Sequence, residues 1–261
     1  MGILDEIVEN KKKEVAARKK ERSLEKLKDR VSGGSRYSLR EALGEDGIQL
    51  IAEIKPRSPS RGPITDLPAE EIARVYQQEN PAAVSVLTDE KYFGQGLSTL
   101  KKVRMLLDKP VLRKDFIIDS YQLYEAAAAG ADAVLLIANI LSPAKLKEMY
   151  NLAGKLGLEC LVEVHSEKEI KTLPLSPSIL GINNRRLDGD FSTDLAVTEE
   201  LVGIAPEKSL VVSESGLHTA EDVRRLKKTG RVDAMLVGTA LLDGVKNPRG
   251  LVERINKFTL N

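Results

Sequence analysis

The 261-residue sequence has no tryptophan, one cysteine and two histidines, and only 4% of it is aromatic. A lone cysteine, Cys160, can form no disulfide within the chain, which fits a reducing cytoplasm better than an export route. In "LECLVEV" it faces away from Leu161, where a small buried thiol serves as a packing residue. Neither sign of charge is in excess: Lys plus Arg number 40, Asp plus Glu 39, and the formal net charge is +1. That balance supplies no global field to draw in nucleic acid. No stretch reaches the ~18 consecutive apolar residues of a membrane span. The opening "MGILDEIVENKKKEVAARKKERS" lacks the apolar segment of a secretory signal. Asp5, Glu6 and Glu9 argue against an acid-poor transit peptide, and Glu6 stands where a myristoylation signal needs Ser or Thr. The absences leave a cytoplasmic globular protein, 42% hydrophobic and 30% charged, with no membrane and no nucleic-acid partner expected.

What is present is alternation. Short runs rich in Val, Ile and Leu predict strands at 49–55, 82–88, 110–116, 132–138, 159–165, 178–183, 209–215 and 233–238. Stretches of helical period such as "AEEIARVYQQE", "LSTLKKVRMLL", "YQLYEAAAA", "PAKLKEMYNLAGKL" and "AEDVRRLKKT" lie between them. Gly130, Gly157 and Gly230 stand where helices should stop, Ser142 ahead of Pro143 and Thr219 ahead of Asp222 where they should start. Non-alternating apolar strands separated by helices imply a parallel sheet covered on both faces, and eight such units imply a closed α/β (β/α)8 TIM barrel. An open doubly wound sheet is the runner-up, but "FGQGLS" has only Gly94 and Gly96, lies well past its strand and reads as a loop. Residues 1–261 are expected to be one barrel domain, with residues 1–46 as an N-terminal helical extension. Residues 3–30 read as helix: Ile3, Leu4, Ile7 and Val8 form a stripe that must cover something, and the lysine run behind it reads as a solvated face.

The stretch "LIAEIKPRSPSRG" places Glu53 and Lys55 on one face of an otherwise apolar strand. One strand allows a purely structural ion pair. Other strands repeat the pattern at the same depth: Lys114 follows Leu112, Glu163 follows Leu161, Glu214 follows Val212, and Asn183 ends the sixth strand. In a barrel of this kind the carboxyl ends of the strands carry the chemistry. Interleaved Lys and Glu in a low-dielectric setting shift one another's proton affinities and can act as acid and base near neutral pH. A second constellation, Ser215 and Gly216 in "SESGL" with Gly238 and Thr239 in "VGTALL", leads from strand ends into helix N-termini, which attract anions such as phosphate. "RSPSRG" adds Ser58, Ser60, Arg61 and Gly62, a loop able to close over the same anion. His165 and His218 are too far apart for a metal-ligand motif, and neither a metal nor a cofactor is expected.

Taken together, "IAEIKPRSPSRG", "VLTDEKYFGQG", "PVLRKDFIID", "LVEVH", "GINNR", "SESGL" and "VGTALL" resemble the indole-3-glycerol phosphate synthase family over nearly the whole chain. The resemblance implies a carboxy-lyase of tryptophan biosynthesis that closes the ring of 1-(2-carboxyphenylamino)-1-deoxyribulose 5-phosphate with loss of carbon dioxide and water. It also implies an N-terminal extension packed near the active-site mouth. Lys114 resembles the acid that protonates the attacked carbonyl, Lys55 the lysine that grips the anthranilate carboxylate, and Glu163 the carboxylate that moves a proton during dehydration. Glu53 and Asn183 resemble residues that hold the sugar and orient the lysines. The phosphate would fall to Ser58, Ser215, Gly216, Gly238 and Thr239; Phe93 and Phe116 resemble apolar walls for the aromatic ring, and Arg185 and Glu214 complete the substrate-binding set. Arg186 after "GINNR" and "TLPLSPS" before that strand depart from the family pattern, so the asparagine role could fall on Asn183 or on Asn184. The implied partner is one small phosphorylated substrate, with the chain a monomer or a weak homo-oligomer. Two other readings compete with it. A Schiff-base aldolase would also use a desolvated strand-end lysine, and a barrel reduced to phosphate binding would have lost Lys114 or Glu163.

Overall fold

The computed structural model describes residues 2–31, 37–59, 61–186 and 192–259. Eight strands run Gln49–Ile54 (β1), Ala83–Leu87 (β2), Val111–Lys114 (β3), Ala133–Ile137 (β4), Glu159–Val164 (β5), Ile179–Asn183 (β6), Leu210–Glu214 (β7) and Ala234–Val237 (β8). Each pairs in parallel with the next, and β8 closes on β1 through Gln49↔Ala234 to Ala52↔Val237, giving the TIM barrel. All eight fall inside the ranges that periodicity assigns, and so do the five helices, the one over Ser120–Ala129 starting a residue earlier and three others ending one to three residues sooner. Gly130, Gly157 and Gly230 do take positive φ, and Ser142 and Thr219 do cap their helices.

Strand alternation makes two cores. One row of side chains, including Leu50, Ala52, Ile54, Val162 and Ile182, packs against the helices. The other, including Ile51, Leu112, Leu161, Ile179 and Val212, fills the barrel. Because every second residue shares a face, Glu53, Lys114, Glu163, Asn183 and Glu214 continue the inner rows toward the carboxyl ends. Register sets them close in height: Leu87 lies level with Lys114, Ile137 with Glu163, and Asn183 with Glu214.

Three features depart from the sequence reading. The N-terminal helix is two helices, Ile3–Glu21 (α1) and Leu24–Lys28, because Arg22 turns extended and Ser23 accepts from Lys26 N–H at 3.4 Å. The lysine run is not wholly solvated: Lys11 is fully buried, with Nζ 2.7 Å from Asp89 and 3.0 Å from Asp115. A cation on a helix face otherwise covered by protein survives only where opposite charges meet it. A short helix at Leu39–Leu43, which periodicity misses, sends Leu39 and Leu43 into the inner core at the amino ends of the strands. Glu159 at the start of β5 holds it, accepting from Ser38 Oγ at 3.1 Å, from Arg40 N–H at 3.0 Å, and from Leu39 N–H.

Candidate active site

A cavity of about 590 Å³ opens at the carboxyl ends of the strands. All fourteen residues to which the family resemblance gives a role line it, Glu53, Lys55, Ser58, Phe93, Lys114, Phe116, Glu163, Asn183, Arg185, Glu214, Ser215, Gly216, Gly238 and Thr239, whereas Gly62 of the proposed anion loop does not. Ile3, Leu4 and Ile7 of α1 form part of its wall, so the apolar stripe covers the mouth of the cavity. Ser60 lies outside the described residues; Arg61 lines the cavity and pairs with Asp243 at 2.7 Å.

The charged set sits on the barrel floor. Lys114 Nζ lies 3.1 Å from Glu163 Oε2 and 3.2 Å from Glu214 Oε2, and Lys55 Nζ lies 2.9 Å from Glu53 Oε1. Burial disfavours the charged form of Lys114, but Glu163, Glu214 and Glu53 outweigh it and raise its pKa. Burial pushes the Glu163 carboxyl up, yet Lys114, His165 and a hydrogen bond from Asn183 bring it below its ordinary value. Glu214 goes the other way: burial drives it up to about 8, with Lys114 opposing and the charge on Glu163 adding to the rise. The trio therefore sets a cation between one carboxyl whose proton affinity is lowered and one whose proton affinity is raised, a division expected when two carboxylates share one site. Glu214 faces both partners of this trio, Lys114 across 3.2 Å and the Glu163 carboxyl. Two glycines make room for these groups: a Cβ at Gly181 would collide with the Glu214 carboxylate, and one at Gly238 with Glu53.

Asn183 and Asn184 separate cleanly. Asn183 lines the cavity and accepts from Arg185 N–H at 3.0 Å. Asn184 is fully buried; its Nδ2 donates to Ser213 Oγ, Glu214 O and Ser215 O, each at 3.0 Å, and its Oδ1 accepts from Thr198 N–H and Oγ. It braces the turn after β7. That turn is not the helix N-terminus expected from sequence. Ser215 and Gly216 take φ of 65° and 78°, and the helix begins only at Ala220, capped by Thr219. A serine in the left-handed region is uncommon, and successive backbone N–H groups in such a turn can form an anion-binding concavity. Gly238 does cap a helix, but one of a single turn, Thr239–Leu242.

The aromatic wall has its own support. Phe93 and Phe116 stand 6.4 Å apart between ring centroids, tilted by 33°. Phe93 belongs to a one-turn helix, Glu90–Phe93, so only Gly94–Gly96 of "FGQGLS" is loop. Asp89 caps that helix by accepting from Tyr92 N–H at 2.8 Å, and Asp115 accepts from Phe116 N–H at 2.8 Å. Lys11 binds both aspartates, tying α1 to both walls. Arg113, fully buried beneath, adds Nη2 to Asp115 at 2.8 Å. Sequence reasoning missed Lys11, Asp89, Asp115 and His165. The available cue was charge within apolar strand text, as in "VLRKD", where Arg113 and Asp115 share the outward face. Among the described residues no group of three or more His, Cys, Asp or Glu side chains could hold a metal ion, and no helix is long and apolar enough to cross a membrane.

Residues 4–251 match the family described as indole-3-glycerol phosphate synthase. An indole-3-glycerol phosphate synthase from Thermoanaerobacter sp. (strain X514) is 42% identical over 258 residues, 98% of this chain and 96% of that protein. One from Bacteroides thetaiotaomicron is 44% identical over 230 residues, 87% of this chain and 88% of that protein. Among solved structures, a mutant tryptophan synthase alpha-subunit from Pyrococcus furiosus superposes with a TM-score of 0.61 at 15% identity, covering 80% of this chain and 97% of that one. That likeness concerns the barrel fold.

Proposed function

The chain belongs to the indole-3-glycerol phosphate synthase family, and from that premise we propose how its cavity closes the ring of 1-(2-carboxyphenylamino)-1-deoxyribulose 5-phosphate. The protein is a carboxy-lyase of tryptophan biosynthesis. The phosphate rests on the Ser215–Gly216 turn and on Gly238 and Thr239, with Ser58 on the facing loop. The aromatic ring lies between Phe93, Phe116 and the α1 stripe, an apolar body beside a few placed polar groups.

In this pose the ring carbon bearing the carboxylate attacks the ribulose carbonyl. Negative charge grows on the carbonyl oxygen, and Lys114, cationic and fixed beforehand by Glu163 and Glu214, stabilises and protonates it. Lys55 holds the carboxylate that leaves as carbon dioxide, oriented by Glu53. Loss of carbon dioxide restores the aromatic benzene ring, and loss of water then completes the indole, with Glu163 moving the proton. Asn183 and Arg185 hold the sugar. Glu214, whose pKa is raised by burial and by the charge on Glu163, lines the cavity where it can meet a sugar hydroxyl. Substrate becomes product plus one carbon dioxide and one water, with no redox step.

The observation that carries the reading is one ammonium held between two carboxylates in the cavity that also contains the anion turn. Adding the synthetic precursor to purified protein tests it: product fluorescence should rise with equimolar carbon dioxide release. A flat signal from folded protein would refute the reading. We further propose that the chain acts in the cytoplasm, on this small substrate alone, as a monomer or weak homo-oligomer.

A further inference from the structure

His165 follows Glu163 by two residues just past the end of β5, so both side chains leave the chain on the same side. Its side chain is 10% exposed and does not line the cavity. Nε2 lies 3.3 Å from Glu163 Oε1, while the other oxygen of that carboxylate faces Lys114. Nδ1 lies 3.6 Å from Glu169 Oε2.

Glu169 is itself anchored. Its Oε2 accepts from His165 N–H at 2.9 Å, its Oε1 from Ser166 Oγ at 3.2 Å, and its own N–H donates to Ser166 Oγ at 3.3 Å, at the start of the helix Glu167–Lys171. The groups facing the imidazole are Glu163 from β5, Glu169 from that helix and Glu214 from β7, with Lys114 on the far side of Glu163. Burial favours a neutral ring, but these carboxylates outweigh it and raise the pKa of His165. The row Lys114, Glu163, His165, Glu169 thus alternates basic and acidic side chains.

We propose that His165 is a positioning residue for the ring closure, its ring set between Glu169 and one oxygen of Glu163 so that the other oxygen stays aimed at Lys114. This rests on the reading of Glu163 as the carboxylate that moves the proton. Removing the ring takes away a positive neighbour that lowers the Glu163 pKa, so Glu163 takes up its proton at higher pH and the loss of rate falls on the acid side and on kcat rather than KM.

The test compares pH profiles of His165→Asn, Glu169→Gln and Glu163→Gln with the unaltered enzyme. In His165→Asn, kcat at about pH 5.5 should fall roughly tenfold, the gap should narrow towards pH 8, and KM should stay within about twofold. Glu169→Gln, which leaves the ring in place, should shift the acid limb the same way by less. An inactive Glu163→Gln beside unchanged profiles in the other two would overturn this proposal alone. An active Glu163→Gln would overturn the reading of Glu163 and this proposal with it. Imidazole NMR decides the matter even if His165→Asn fails to fold. The chain has two histidines, so His218→Asn identifies the His165 signal. It should titrate above the ordinary value of about 6.5, and titration at or below that value would overturn the proposal.

Discussion

Two carboxylates beside one ammonium cannot both be cheaply ionised, and at the scale of single residues this governs how the site responds to pH. Glu214 is the one whose proton affinity rises, its pKa raised from 4.5 to about 8. A carboxyl whose folded pKa lies above its unfolded value favours the fold at low pH and withdraws that contribution as pH rises through this window. Glu214→Gln is therefore expected to melt close to the unaltered protein near pH 5 and above it near pH 9. Thermal melts at the two pH values check this, and a variant whose deficit grows with pH would contradict it. Which strands end in charge was legible from alternation alone. The division of labour between Asn183 and Asn184 was not, because it depends on Ser213, Thr198 and Ser215, which come from other parts of the chain.

Among elements, α1 is fastened by a buried charge as well as by apolar contact, with Ile7 and Val15 buried on the same helix as Lys11. Lys11→Met would leave Asp89 and Asp115 facing each other in the interior, and loss of one partner of a buried ion pair costs about 3 to 5 kcal/mol. Urea unfolding should register that loss, and adding Asp89→Asn should recover part of it. Equal stability in the single variant would show that Lys11 is dispensable. At the opposite end of the barrel, Leu43 plugs the inner core, and Leu43→Ala is expected to cost about 2 to 5 kcal/mol with turnover per folded molecule unchanged. The element sequence was legible because eight apolar runs and five long amphipathic helices each obey a local period. Leu39–Leu43 was not, since five residues span too few turns to show one. Lys11 was misread for a related reason: local pattern marks a polar face but not what distant loops bring to it.

For the whole molecule, barrel closure turns five separate strand ends into one floor, with the Ser215–Gly216 turn beside it. The family resemblance extends over the same scale, since matched residues 4–251 include α1 from its second residue and all eight strands. The central claim is that two functions share this cavity but use different side chains: Lys114 for the chemistry, Thr239 and its neighbours for the phosphate. The most direct measurement pairs product fluorescence with binding of a phosphorylated product analogue in Lys114→Ala and Thr239→Ala. Lys114→Ala should lose turnover by a factor of about 10² to 10⁴ with analogue affinity nearly unchanged, while Thr239→Ala should weaken the analogue and keep most of kcat. Near-native turnover in Lys114→Ala would contradict the account.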